Sequence, residues 1–171
     1  MTRSNAETII RLKQRLDARF GERGIGSSTG ALIFASAPGR VELAGNHTDH
    51  QGGCTISAAI GRRAYALARP NGTHTIRMDA DGFDTMSLDC TDLDPHEAER
   101  GTSLSLIRGM AAAYARDGGT LRGFDVAVTS DIPVGAGLSS SAAFEMLVGA
   151  TIRGICDGDS GGDASDASDN G

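Results

Sequence analysis

The segment Pro133-Val-Gly-Ala-Gly-Leu-Ser-Ser-Ser-Ala-Ala143 constrains the fold of this chain more than any other. A proline and two glycines make a tight loop, three hydroxyl residues follow, and the apolar run from Ala142 to Ile155 reads as the helix they open. Upstream, Phe124, Val126 and Val128 alternate with Asp125, Ala127 and Thr129, the period of a strand. Strand, loop and helix in that order put unpartnered backbone N–H groups and the positive end of the helix macrodipole at the loop. Such a terminus suits an anion, most often a phosphate.

Each residue type has a use there. Gly135 and Gly137 can take positive φ and let a polyphosphate approach the backbone, while Pro133 fixes its own φ at the entry. Ser139, Ser140 and Ser141 can cap the helix, bond phosphate oxygens or ligate magnesium. The plainer alternative is an ordinary capped helix after a glycine turn. Two familiar phosphate loops do not apply. A Walker loop needs Gly-Lys before Ser or Thr, and the single lysine is Lys13. A dinucleotide fingerprint needs a third glycine where Ser140 stands.

A second stretch, Ala37-Pro-Gly-Arg-Val-Glu-Leu-Ala-Gly-Asn-His-Thr-Asp-His-Gln-Gly-Gly53, is also dense in chemistry. Val41 and Leu43 alternate as in a strand; Asn46, His47, Thr48, Asp49 and His50 then cluster after Gly45. Packing has no need of so many hydrogen-bonding side chains together, whereas a sugar does, since each hydroxyl is both donor and acceptor. A metal site on His47, Asp49 and His50, or a plain polar turn stabilised by Asn46 and Asp49, are the alternatives, and Arg40 suits a structural salt bridge as well as a ligand.

Pro-x-x-x-Gly-Leu-Ser-Ser-Ser-Ala from Pro133 resembles the nucleotide-binding motif of the GHMP small-molecule kinases. Pro-Gly-Arg-Val-x-Leu-x-Gly-x-His-Thr-Asp-x-x-Gly-Gly from Pro38 resembles the galactose-binding signature of the galactokinases within that group, and the two motifs stand in that family's order. The resemblance implies an α+β fold, the N-terminal lobe of a GHMP kinase with no C-terminal lobe in this chain. It implies ATP as donor, held by Gly135, Ala136, Gly137, Leu138, Ser139, Ser140 and Ser141, with Mg2+ on Ser141. Asn46, His47, Thr48 and Asp49 would bind the sugar, and Arg40 would stabilise charge on the transferring phosphoryl group or beside the base. Asn46 stands where most galactokinases have glutamate and His50 where tyrosine is frequent, so galactose is the expected sugar with another hexose open.

Similarity extends over about residues 30 to 153, and the family is more than twice this length. The family's catalytic aspartate and second acidic metal ligand come after the serine helix, and nothing here matches them. The chain is therefore expected to be the N-terminal part of a galactokinase-like sugar 1-kinase, catalytically incomplete; a non-catalytic sugar or nucleotide sensor is the alternative. Expected divisions are an N-terminal helix and linker at 1–30, a kinase domain at 31–156 and a disordered Asp/Gly/Ser-rich tail at 157–171.

Composition narrows the remaining classes. Of a formal net charge of −6, five units fall on Asp157, Asp159, Asp163, Asp166 and Asp169, so the body has no strong sign. Scattered arginines and 4% aromatic residues do not make a nucleic-acid platform. Without a long apolar run or a charged-then-apolar leader, a cytoplasmic protein without a membrane span is expected. Cys54, Cys90 and Cys156 lack metal or disulfide spacing and read as small buried hydrophobes. Helices are expected at 5–20, capped by Asn5, and at 103–116; strands at 31–35, 64–68 and 74–78, the last two joined as a hairpin across Asn71-Gly72. His74 and His96 are expected at the surface.

Overall fold

The computed structural model describes residues 4–21, 32–45 and 54–158. In chain order these form α1 (Asn5–Phe20), β1 (Ile33–Ala44), β2 (Ile56–Pro70), β3 (Thr75–Ala80), β4 (Met86–Asp89), α2 (Ser103–Arg116), β5 (Phe124–Ser130) and α3 (Ser140–Asp157). The strands make one mixed sheet in the order β1-β2-β5-β3-β4. All its pairings are antiparallel except that of β3 with β5. The architecture is the expected α+β. The linker stretch 22–31 and the tail from residue 159 lie outside the described residues.

Both faces of the sheet are covered, which the strand patterns did not reveal. Ala64, Ala66 and Ala68 of β2 and Phe124, Val126 and Val128 of β5 pack under α2 and α3, with Leu147 and Ile152 opposite. Their alternates Tyr65, Leu67 and Ala127 face Leu12 and Leu16 of α1. A two-residue period therefore becomes continuous burial, because each alternate set meets a helix. Burial of Leu12 and Leu16, both 0% exposed, contributes about 2 kcal/mol apiece on the usual scale of apolar transfer.

The charged side chains on the α1 face are paired rather than solvated, although Arg69 Nε is buried without a hydrogen-bond partner. Asp125, fully buried, accepts from Arg77 Nε at 2.7 Å and Nη2 at 2.9 Å, and from Asn71 Nδ2 at 2.9 Å. Arg77 in turn lies 5.1 Å over the Phe20 ring. Arg69 donates to Asp17 at 2.8 Å and to the Gly21 carbonyl at 2.5 Å. Burial raises the Asp17 carboxyl, but Lys13 and Arg69 outweigh it and hold the group below its ordinary value. The α1 cap is Ser4, not Asn5: Ser4 Oγ accepts from Glu7 N–H, and Ser4 N–H donates to the Glu7 carboxylate. A serine three residues before a glutamate closes a reciprocal box that Asn5 could not.

The expected β2–β3 hairpin does not form. The turn at Asn71-Gly72 is real, with Gly72 at φ 72, but β5 is inserted between the two strands. Asn71 serves that insertion. Its N–H donates to Gly123 O at 3.1 Å, Gly123 N–H donates to Thr73 O at 2.9 Å, and the Asn71 side chain reaches Thr75 O and Asp125. A Cβ on Gly123 would lie 2.4 Å from Thr73 O, so the crossing admits only glycine. Of the strand expected at 31–35, residues 33–35 belong to the same long β1 as Val41 while residue 31 lies outside the described residues, and 64–68 falls in the C-terminal half of β2.

Helix 103–116 is as expected, capped by Thr102. Arg108 binds Glu99 through Nε at 2.8 Å and Nη2 at 2.6 Å. His74 and His96 are exposed, as expected. Of the cysteines Cys156 is buried, Cys90 is half-buried and Cys54 is exposed, the last contrary to expectation because it lies at the open start of β2. Burial and the neighbouring Cys156 push the Cys90 thiol up to about 11, which leaves it unreactive at neutral pH.

Candidate active site

The loop from Pro133 to Ser139 joins β5 to α3 with Gly135 at φ 75 and Gly137 at φ 70, the two positive angles that its glycines anticipated. Ser139 follows at φ 56, ψ 45, the single non-glycine residue of positive φ among those described. It occupies the N-cap position of α3, yet its side chain makes no capping bond. The first turn of α3 also lacks acidic residues. An ordinary serine cap has extended backbone and bonds the second or third amide; this one does neither. Left-handed geometry at a serine costs roughly 1–2 kcal/mol and the missing cap about 1 kcal/mol more. The first-turn amides are thus left open toward the loop, beside exposed Gly135, Ala136 and Gly137 and the exposed Ser141 hydroxyl.

The sheet anchors this loop through Arg40. Arg40 N–H donates to Leu138 O at 3.1 Å, using the outward-facing side of edge strand β1. Gly39 makes the approach possible, since a Cβ there would stand 3.0 Å from Leu138 O and 3.1 Å from Ile60 Cδ1. The β1–β2 register shifts between Pro38 and Arg40, and again between Glu42 and Ala44. Irregularities of this kind bend a strand and re-aim its side chains, and they collect near active sites. Arg40, Glu42, Gly45, Gly137 and Ser139 together line a polar cavity of about 300 Å³. Residues of the glycine-serine loop and of strand β1 therefore share one hollow, although almost 100 positions separate Arg40 from Gly137 in sequence. Asn46, His47, Thr48, Asp49 and His50 follow directly on Gly45 and lie outside the described residues.

A second hollow, which the motifs did not indicate, opens on the other side of the serines. It is mainly apolar, walled by Phe83, Met86, Leu106, Val134 and Phe144, with Ser140 and Ser141 at its edge. Phe83 and Val134, 58% and 83% exposed, put two apolar side chains on the open wall of this hollow. The available signal was Asp81-Gly82-Phe83, a turn that carries an aromatic residue where a polar one is usual. Among the described residues no cluster of His, Cys, Asp or Glu has the grouping of a metal site. No described helix is long and apolar enough to cross a membrane.

Comparison with known proteins matches both stretches of sequence that meet at this hollow. The family model described as the galactokinase galactose-binding signature matches residues 18–70, and that of the GHMP kinases N terminal domain matches residues 105–165. A galactokinase of Roseiflexus sp. is 40% identical over 121 residues, which is 71% of this chain and 30% of the relative. The galactokinase of Lactococcus lactis subsp. cremoris is 30% identical over 154 residues, 86% of this chain and 36% of the relative. The chain thus spans about a third of the length of the curated relatives it matches. The crystal structure of Lactococcus lactis galactokinase complexed with galactose matches with a TM-score of 0.76 at 25% identity, over 88% of this chain and 38% of that one. The Methanococcus jannaschii mevalonate kinase, with a TM-score of 0.61 at 19% identity over 73% of this chain and 40% of that one, shares the fold. With both motifs matched in order and the sheet and helices superposed, the chain belongs to the galactokinase family of GHMP kinases, over the N-terminal portion of its relatives.

Proposed function

We propose that the chain provides the nucleotide cradle and the sugar-facing strand of an ATP-dependent sugar 1-kinase, with galactose as acceptor. The observation that carries this reading is the open N-terminus of α3, held in a costly left-handed turn and pinned to the strand of Arg40. A helix that needed only to begin would be capped; leaving amides open makes sense when a phosphate fills the place. The backbone of Gly135 to Ser141 would hold the triphosphate, and the apolar hollow of Phe83, Met86 and Phe144 would take the base.

In the transfer, a bond forms between the sugar's anomeric oxygen and the γ-phosphorus while the bond to the ADP oxygen breaks. Arg40, exposed at the rim of the polar cavity, would stabilise the charge spread over the phosphoryl oxygens, and Asn46, His47, Thr48 and Asp49 would orient the sugar. None of the described residues is assigned to take the hydroxyl proton. Mg2+ fits here in a limited way. Ser141 offers one hydroxyl and the described residues hold no acidic cluster, so phosphate oxygens and water would fill most of its shell while it offset phosphate charge.

Calorimetry of the purified chain with Mg-ATP and a panel of hexoses tests the reading. Saturable ATP binding and preference for galactose are expected, with little turnover, and turnover is expected when the chain is extended by the C-terminal portion of a curated relative. An extended protein inert toward every hexose would overturn the kinase reading.

A further inference from the structure

From the way α1 grips the β3–β4 turn, we infer that the N-terminal helix is a positioning element for the base-facing wall of the nucleotide hollow; the inference rests on the proposed nucleotide site. The turn runs from Asp81 to Thr85 and carries Phe83 over the hollow, next to Met86. Its own bonds are few. Phe83 N–H donates to Ala80 O at 3.1 Å, Asp81 N–H donates to Val128 O at 3.2 Å, and Gly82 supplies the positive φ.

Three arginines one helical turn apart on α1 hold both ends of this turn. Arg11 and Arg15 each bind the Asp81 carboxylate, one oxygen apiece. Arg11 also donates to Thr129 Oγ1 at 3.0 Å, and Thr129 closes the triangle by donating to Asp81. Arg15 continues to Val128 O at 3.2 Å and to Asp79 at 2.5 Å. Arg19 Nε reaches Thr85 Oγ1 at 2.7 Å, at the far end of the turn. Positions 11, 15 and 19 fall on one stripe of the helix, alongside the Leu12 and Leu16 stripe that docks α1 on the sheet. Asp81 and Thr129 also line the hollow, so helix and pocket meet on the same two side chains.

Exposed ion pairs add little to stability, and Arg11 and Asp81 are 38% and 42% exposed. Their effect is geometric: with Asp81 and Thr85 fixed, Phe83 has little freedom to swing off the hollow. Arg11 and Arg19 act through the turn and do not touch the nucleotide.

Affinities of the full chain for ATP and for inorganic tripolyphosphate separate this role from general destabilisation. Arg11→Met keeps Leu12, Leu16 and the Arg15 contacts, and it is expected to weaken ATP binding about tenfold while leaving tripolyphosphate within about twofold. Arg11→Lys, which keeps a cation for Asp81, is expected to recover most of the loss. If Arg11→Met loses its helical circular dichroism, Thr85→Val removes the Arg19 contact with a near-isosteric side chain at a half-buried position and should show the same selective loss. Equal ATP affinity in the unaltered chain and the folded variants, or parallel loss of both ligands, would overturn the inference alone. Absence of ATP binding by the unaltered chain would overturn both it and the nucleotide site beneath it.

Discussion

Ser139 gives a sharp test of whether α3 begins as a binding surface or as an ordinary helix. In the structure its backbone is left-handed and its hydroxyl caps nothing. Replacing it with glycine removes the left-handed penalty of roughly 1–2 kcal/mol and adds about 0.5–1 kcal/mol of unfolded-chain entropy to be lost on folding. The expected result is a net gain of about 0.5–1 kcal/mol, a rise in thermal midpoint of about 1–4 °C for a domain this size. Ser139→Ala keeps the strain and deletes a hydroxyl with no capping partner, so stability should stay within about 0.5 kcal/mol. A true capping serine behaves oppositely, losing about 1 kcal/mol to alanine and only a few tenths to glycine. Urea unfolding followed by far-ultraviolet circular dichroism, with ATP absent, measures both variants against the parent. A loss of 1 kcal/mol or more in Ser139→Ala, with no gain in Ser139→Gly, would refute the reasoning. It would mean that the serine caps α3 in solution.

Two further outcomes follow from geometry elsewhere. Gly123→Ala puts a methyl 2.4 Å from Thr73 O and 2.6 Å from Thr75 N, and should cost about 2 kcal/mol, seen as a thermal midpoint lower by roughly 4–8 °C; an unchanged midpoint would contradict the crossing as described. Tyr114 donates to Asp157 at 2.5 Å, and that bond, with burial, pushes its phenol up to about 12. The folded value lies above the ordinary 10.0, so this contact's stabilisation is fully present below pH 10 and is lost as pH rises through about 12. Tyrosinate absorbance should therefore show the Tyr114 titration late in the native chain. In Asp157→Asn that titration should move down toward pH 10, and an unmoved titration would remove Asp157 as the cause.

What could be read beforehand was mostly local. The stripe Leu12 and Leu16, the alternation from Phe124 to Val128 and the glycines of the loop each announce a backbone period or angle, and each is found in place. Three things were not local. Asn71-Gly72 marks a turn, but no neighbouring residue says that β5 will fill the gap beside β2. Asp125 alternates with apolar residues as a solvent-facing side chain would; only the docking of α1 shows it buried against Arg77. The serine run announced a helix start, whereas the left-handed angle at Ser139 stands next to a Leu138 carbonyl bonded to Arg40, almost 100 positions away in sequence. The polar cluster Asn46 to Asp49 was legible as chemistry, and its placement lies outside the described residues.

The central position of β5 also bears on how the chain comes off the ribosome. β2 and β3 are made first, but the edges they turn toward each other have no partner until residues 124–130 arrive. At ordinary elongation rates the interval of about 60 residues from Pro70 to Ser130 lasts roughly 3–12 s. The β2 edge for that time, and the β3 edge from the completion of Ala80 onward, are open to a wrong neighbour. Translation speed between β3 and β5, rather than the stability of the finished sheet, should then govern how much of this protein is recovered folded.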